Sequence, residues 1–162
     1  MRLALFALLL LSSQAGAIAP GAAAPDFSLA GSSGQVSLAD YRGKYVYLDF
    51  WASWCAPCKR SFPWMGELQK RYGPSGLQIV AINVDANRAD ADHFLAATPA
   101  AFSVAYDPAG ITPRKYAIKG MPSSVLIDPQ GQVLFVHAGF NDATAAEIEA
   151  QIKQAVQKKE KP

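Results

Sequence analysis

Two cysteines separated by two residues stand directly behind a buried-looking apolar run, and the 162-residue chain has no other cysteine. Tyr45-Val46-Tyr47-Leu48-Asp49-Phe50-Trp51 has the β-branched and aromatic content of a core strand, and Lys59 through Tyr72 reads as a helix. The chain must therefore turn from strand to helix at Cys55-Ala56-Pro57-Cys58. At a helix start the unpaired amides and the dipole favour negative charge, so Cys55 is expected to ionise below the usual thiol range. Each unit of such a fall favours the thiolate by about 1.4 kcal/mol. Pro57 suits the first turn, which needs no amide hydrogen. Cys58, inside that turn, is expected to be the more sheltered sulfur. The spacing points to a redox pair in which Cys55 attacks and Cys58 resolves a mixed disulfide. The competing uses are weaker. A structural bridge over so short a loop removes little chain entropy, two cysteines leave a four-ligand zinc site incomplete, and haem attachment would need His where Lys59 stands.

The run Asp49-Phe50-Trp51-Ala52-Ser53-Trp54-Cys55-Ala56-Pro57-Cys58-Lys59 resembles the active-site segment of the thioredoxin superfamily. Ala24-Pro25-Asp26-Phe27-Ser28-Leu29, Asn83-Val84-Asp85 and Gly120-Met121-Pro122-Ser123-Ser124-Val125-Leu126-Ile127-Asp128 are similar to the exported TlpA/ResA-like branch. The resemblance spans most of the chain after its N-terminal segment. It implies an α/β thioredoxin fold, a central mixed β-sheet flanked by helices, with the branch's central insertion between Asp85 and Lys115.

Half the residues are apolar, which suits one globular domain of this length. Met1-Arg2, the wholly apolar Leu3 to Leu11 and the small-x-small Ala15-Gly16-Ala17 read as an export signal. Residues 1–19 are thus expected to be a signal peptide and 20–162 a single thioredoxin-like domain. The alternative is an uncleaved anchor, although the second half of Leu3–Ala19 is too small and polar to span comfortably. The expected location is the periplasm, where disulfides persist. The net charge of +2 falls to +1 without Arg2, with 14 basic against 13 acidic residues, and gives no sign of nucleic-acid binding. Lys158, Lys159 and Lys161 around Glu160 read as a solvated tail.

Leu77 to Val84 reads as a second buried strand, parallel to the first through the intervening helix. Arg88 to Ala97 reads as a helix stopping before Pro99. Val125–Ile127 and Val133–Val136, joined by Asp128-Pro129-Gln130-Gly131, read as a hairpin, and Ala143 to Gln157 as a closing helix. Ala19 to Pro25 reads as an Ala/Gly/Pro spacer.

Asp49 interrupts an apolar strand. A buried carboxyl without a charged partner has a raised pKa, whereas one at a strand end would simply face water. The resemblance implies the former, with Asp49 deprotonating Cys58 as the mixed disulfide resolves; many TlpA/ResA-like chains carry Asn here instead. It also implies that the Met121-Pro122 bond is cis and lies against the disulfide, where a substrate backbone can pair. A plain edge-strand proline is the other reading. Trp51 is a core candidate and Trp54 a rim candidate. Lys59 either favours the thiolate or is solvated. His93 and His137 read as surface or strand residues, not metal ligands.

The candidate site is therefore Cys55, Cys58 and Asp49 for the chemistry, with Trp54, Ala56, Pro57, Met121 and Pro122 facing substrate and no metal or cofactor. The expected activity is protein-disulfide reduction, with protein disulfides as substrates and a membrane thiol reductase of the DsbD/CcdA type as electron donor. Cytochrome c or copper-oxidase assembly is a candidate setting, although the chain has Pro122-Ser123-Ser124 where the cytochrome-dedicated subgroup has Pro-Glu-Thr. A thiol peroxidase would share Pro25-Asp26-Phe27 but needs Thr or Ser where Ala52 stands. A copper-binding chaperone would need wider cysteine spacing and His137 as third ligand.

Overall fold

The computed structural model describes residues 18–159. Most of the expected signal peptide, residues 1–17, and residues 160–162 of the expected tail lie outside the described residues. The chain runs β1 (Ser28–Gly31), β2 (Gly34–Ser37), a 3-10 turn (Leu38–Tyr41), β3 (Tyr45–Trp51), α1 (Ala56–Tyr72), β4 (Leu77–Asn83), α2 (Arg88–Ala97), β5 (Ser103–Tyr106), α3 (Ile111–Lys115), β6 (Ser123–Ile127), β7 (Val133–Ala138) and α4 (Asp142–Lys159). The strands form one mixed sheet in the order β2-β1-β5-β4-β3-β6-β7. β3 runs parallel to β4 and antiparallel to β6, so it sits inside the sheet with both edges paired.

All seven residues of β3 are buried, because layers cover both faces of the sheet. Side chains alternate along the strand. Tyr45, Tyr47 and Trp51 join the core under α1, α2 and α4, with Phe62, Met65, Leu68, Phe94, Ile148 and Ile152. Val46, Leu48 and Phe50 face the opposite core, with Phe27, Leu38 and Tyr116. The first core centres on an aromatic cluster in which Phe62 of α1 lies 4.6 Å from Trp51, 4.9 Å from Phe94 and 5.3 Å from Phe102, ring centre to ring centre. This cluster fixes α1 and the inserted α2 to the end of β3 from which the cysteines follow.

The expected strand over 45–51, the helix over 88–97 and the hairpin around residues 128–131 are present. In that hairpin Asp128 Oδ1 accepts from the Gln130 and Gln132 amides, and Gly131 takes the positive φ of 84° that the turn needs. α4 continues two residues past the expected Gln157. The expected Ala19–Pro25 spacer is corrected: it is tied to the start of β7. Gly21 N–H donates to Val133 O at 2.8 Å, Val133 N–H to Ala22 O at 2.9 Å, and Ala24 N–H to Gly131 O at 2.9 Å. An edge strand has unpaired backbone groups, and this segment satisfies those of Val133 whatever its composition. The β1–β2 hairpin, β5 and α3 had no strong periodic signal; each is four or five residues long.

Replacing Phe62, 2% exposed, by Ala would leave a cavity between three aromatic rings. Phe62→Ala should destabilise the protein by about 3–5 kcal/mol in urea titration; a loss below about 1 kcal/mol would contradict this packing.

Candidate active site

β3 ends at Trp51, and the chain turns through the buried Ala52 to Cys55, whose amide donates to Ala52 O at 3.1 Å. Cys55 is the N-cap of α1: its backbone is extended (φ −83°, ψ 103°) and its Sγ accepts from the Cys58 amide at 3.3 Å. Sulfur thus occupies the place a Ser or Asp oxygen would take at a helix start. With the pair reduced, the same amide and helix end favour a Cys55 thiolate. Ala56 and Pro57 form the start of the helix, where a proline costs no ladder bond. Cys55 and Cys58 are joined as a disulfide with Cα atoms 5.3 Å apart. Cys58 is 0% exposed and Cys55 4%, so the second sulfur is the more sheltered, as expected. Trp54 stands 71% exposed beside them, whereas Trp51 is in the core.

The turn is held from β4 by Asp85, which sequence reasoning had noted only as part of a resemblance. Ser53 N–H donates to Asp85 Oδ2 at 2.9 Å and Ser53 Oγ to Oδ1 at 3.1 Å. Asn83 Nδ2 donates to the same Oδ2 at 2.7 Å, and its Oδ1 receives the Asp85 amide at 3.0 Å. One buried carboxylate thereby fixes the loop ahead of Cys55 to the end of β4. The signal was Asn83 and Asp85, two Asx residues flanking a strand end.

Asp49 lies inside β3, 2% exposed, between Ala81 of β4 and Ser124 of β6. Alternation puts it on the face of Tyr47 and Trp51, the one that α1 and Cys58 cover. Neither strand partner brings a charge. Among the described residues, Asp49 Oδ2 and Trp51 Nε1 are buried side-chain atoms without a hydrogen-bond partner. Desolvation therefore drives the Asp49 pKa well above the usual carboxyl range. The strand-end, water-facing alternative does not hold.

The Met121-Pro122 bond is cis. The last β3–β6 pair is Phe50 with Ser123, so Pro122 enters the sheet level with Trp51, where the cysteine turn leaves. Ser123 Oγ donates to Gly120 O at 2.7 Å and the Gly139 amide to Pro122 O at 2.8 Å, fixing both sides of the proline. Pro122 is buried and Met121 half-buried, packed against both cores. Lys59 is exposed and, with Ser53, Asp90, His93 and Phe94, lines a cleft of about 370 Å³ between α1 and α2. A larger cleft of about 560 Å³, lined by Gln35, Tyr41, Gln78 and Phe102, lies at the opposite end of the strands. His137 is on β7 with Nε2 engaged by Gln151 Oε1 at 3.1 Å.

A mixed sheet whose internal strand leads through Cys-x-x-Cys into a helix, with a cis-proline entering beside it, defines a thioredoxin-fold protein with a dithiol/disulfide centre. The chain belongs to the Redoxin family, whose profile matches residues 19–152. It is 35% identical over 123 residues to the thiol-disulfide oxidoreductase ResA of Bacillus subtilis (strain 168), covering 75% of this chain and 69% of that one. Against ResA of Geobacillus thermodenitrificans (strain NG80-2) the identity is 36% over 124 residues, covering 76% and 71%. A crystal structure described as a thiol:disulfide interchange protein DsbE from Chlorobium tepidum superposes with a TM-score of 0.85 at 53% identity, covering 86% of this chain and 99% of that one. The chain is thus a TlpA/ResA-like thiol:disulfide oxidoreductase, an activity whose substrates are protein thiols and disulfides.

The raised Asp49 pKa has a stability consequence whose sign is fixed. The fold favours the protonated carboxyl, so the native state carries no ionisation penalty in acid and loses stability as pH rises through the raised value. Asp49→Asn removes that loss. In the oxidised protein its Tm should gain on wild type progressively as pH rises above the ordinary carboxyl value of about 4; parallel curves would mean that Asp49 is solvated.

Proposed function

We propose that this protein is a periplasmic reductant of protein disulfides. The Cys55 thiolate attacks a substrate disulfide, forming one S–S bond to Cys55 and expelling the first substrate thiolate. Asp49 takes the Cys58 proton, and the Cys58 thiolate attacks Cys55 Sγ, closing the internal disulfide and releasing the second substrate thiolate. Two electrons pass to substrate, and a membrane dithiol donor of the DsbD/CcdA type restores the pair. Trp54, Ala56, Pro57, Met121 and Pro122 form the surface against which substrate lies.

The observation that carries this reading is the Cys58 amide aimed at Cys55 Sγ at the start of α1, with Cys58 fully buried behind it. It gives the two sulfurs unequal access and unequal thiolate stability, which attack and resolution require. A buried carboxyl that holds its proton tightly is also a sufficiently strong base for a thiol. Export is supported by the Leu3–Leu11 run and Ala15-Gly16-Ala17, and the reducing direction by the family resemblance. Among the described residues no helix is long and apolar enough to cross a membrane. Substrates include disulfides of cytochrome c or copper-site assembly; Pro122-Ser123-Ser124 favours a general range over a haem-dedicated one.

Two measurements test the proposal. Cys58→Ser should accumulate a mixed disulfide between Cys55 and substrate, whereas Cys55→Ser should trap none; trapping through Cys58 would reverse the assignment. Equilibration with thiol buffers should place the reduction potential near the thioredoxin level of about −270 mV, and a value near about −120 mV would make the protein an oxidant.

A further inference from the structure

Sheet register carries a polar row through an otherwise apolar core face. Asp49 on β3 pairs with Ser124 on β6, and Ser124 pairs with His137 on β7. Directly opposed residues of an antiparallel ladder project to the same face with Cβ atoms about 4.5–5.5 Å apart. The three side chains therefore form one line from the middle of the sheet to its edge strand. Tyr47, two residues before Asp49, lies on the same face and diagonal to Ser124, within the reach of a long side chain. The line continues off the sheet onto α4: His137 Nε2 is 3.1 Å from Gln151 Oε1 and 4.0 Å from Glu147 Oε1, a carboxylate whose side chain is 59% exposed. In the other direction the row is Ala81 and Val104, which carry no proton.

The hydrogen bonds on α4 assign the imidazole tautomer. Gln151 Nε2 donates to Glu147 Oε1 at 3.4 Å, which turns the Gln151 oxygen toward His137 and makes His137 Nε2 the donor. Nδ1 is then left as an acceptor. Such a ring accepts a proton on one nitrogen and releases one from the other.

We propose that Ser124, Tyr47 and His137 form the route by which Asp49 exchanges its proton with solvent, emerging beside Glu147 on α4. The inference rests on Asp49 being the base for Cys58. A carboxyl that is 2% exposed, with an unpartnered Oδ2 and a burial that favours its protonated form, must lose its proton to water before it can take one from Cys58. Trp51 Nε1 is a donor only and cannot accept that proton. The Asp49 carboxyl ionises ahead of the resolving step, then takes the Cys58 proton, and returns it to the Cys58 thiolate when the disulfide is reduced again. In ionising, the Asp49 hydroxyl donates to the Ser124–Tyr47 pair, a hydroxyl of the pair donates to His137 Nδ1, and the imidazolium loses its Nε2 proton to water beside Glu147. No electrons move in this relay. The titratable groups facing the row are Tyr47 on β3, the Cys55/Cys58 pair on α1, His137 on β7, and Glu147 and Glu149 on α4. Glu149 is already held by Arg71 and the Tyr72 hydroxyl. His137 acts through Asp49 and touches no sulfur, so it is a positioning residue for the proton.

The test is single-turnover release of reduced substrate from the Cys55 mixed disulfide, followed against pH. His137→Ala should slow that release about tenfold or more near neutral pH while leaving the initial attack by Cys55 unchanged. Added imidazole, able to occupy the space left, should restore most of the rate. Ser124→Ala should be equally slow and gain nothing from imidazole, and it carries the test if the histidine variant fails to fold. Asp49→Asn should be slow, and adding His137→Ala to it should cost nothing further. If Asp49→Asn is slow while His137→Ala and Ser124→Ala keep the wild-type rate, Asp49 remains the base and the route is wrong. If Asp49→Asn itself keeps the wild-type rate, the reading of Asp49 falls and the route with it. A slow His137→Ala that imidazole leaves slow would show a packing role and overturn the relay.

Discussion

The hydrogen bond from the Cys58 amide to Cys55 Sγ is the contact around which the fold is arranged. It exists only because the chain passes from a fully buried strand into a helix within four residues, so that the sulfur stands at the N-cap. Each neighbouring device serves that junction. Asp85 fixes the loop through Ser53, Pro57 fits the first turn without loss of a ladder bond, and the aromatic cluster of Trp51, Phe62 and Phe94 holds α1 to the sheet. The helix end supplies electrostatic bias toward a thiolate, and the packing supplies the difference in access between the two sulfurs.

Burial has a second effect on the same face. The core that excludes water from Cys58 also surrounds Asp49 and disfavours its charged form. A sheet face built of Tyr47, Trp51, Ala81 and Val104 would be ordinary packing without that carboxyl. Its presence costs stability at neutral pH and persists beside a redox pair, as expected where local stability is traded against chemistry. The polar row toward His137 gives the group a connection to the surface without opening the core around the sulfurs.

Much of this was legible in the sequence, for reasons that differ by element. β3 and β4 are continuous apolar runs because both faces of the sheet are covered, and α2 stops ahead of Pro99. The cysteine pair and Asp49 stood out as breaks in an apolar pattern, and the cis state of Pro122 came from family resemblance alone. The Ala19–Pro25 segment was misread because composition does not reveal that the free edge of β7 needs partners. The tie from Asp85 to Ser53 and the alignment of Asp49, Ser124 and His137 depend on pairing between distant strands. No local pattern encodes that register.

The most direct test of the account is a pH titration of the Cys55 thiolate by its ultraviolet absorbance in the reduced protein, with Cys58→Ala to isolate the signal of the first sulfur. The account predicts ionisation well below the ordinary thiol value of about 8.5. A Cys55 pKa at or above that value would mean that the start of α1 does not activate the sulfur, and the central claim would fail.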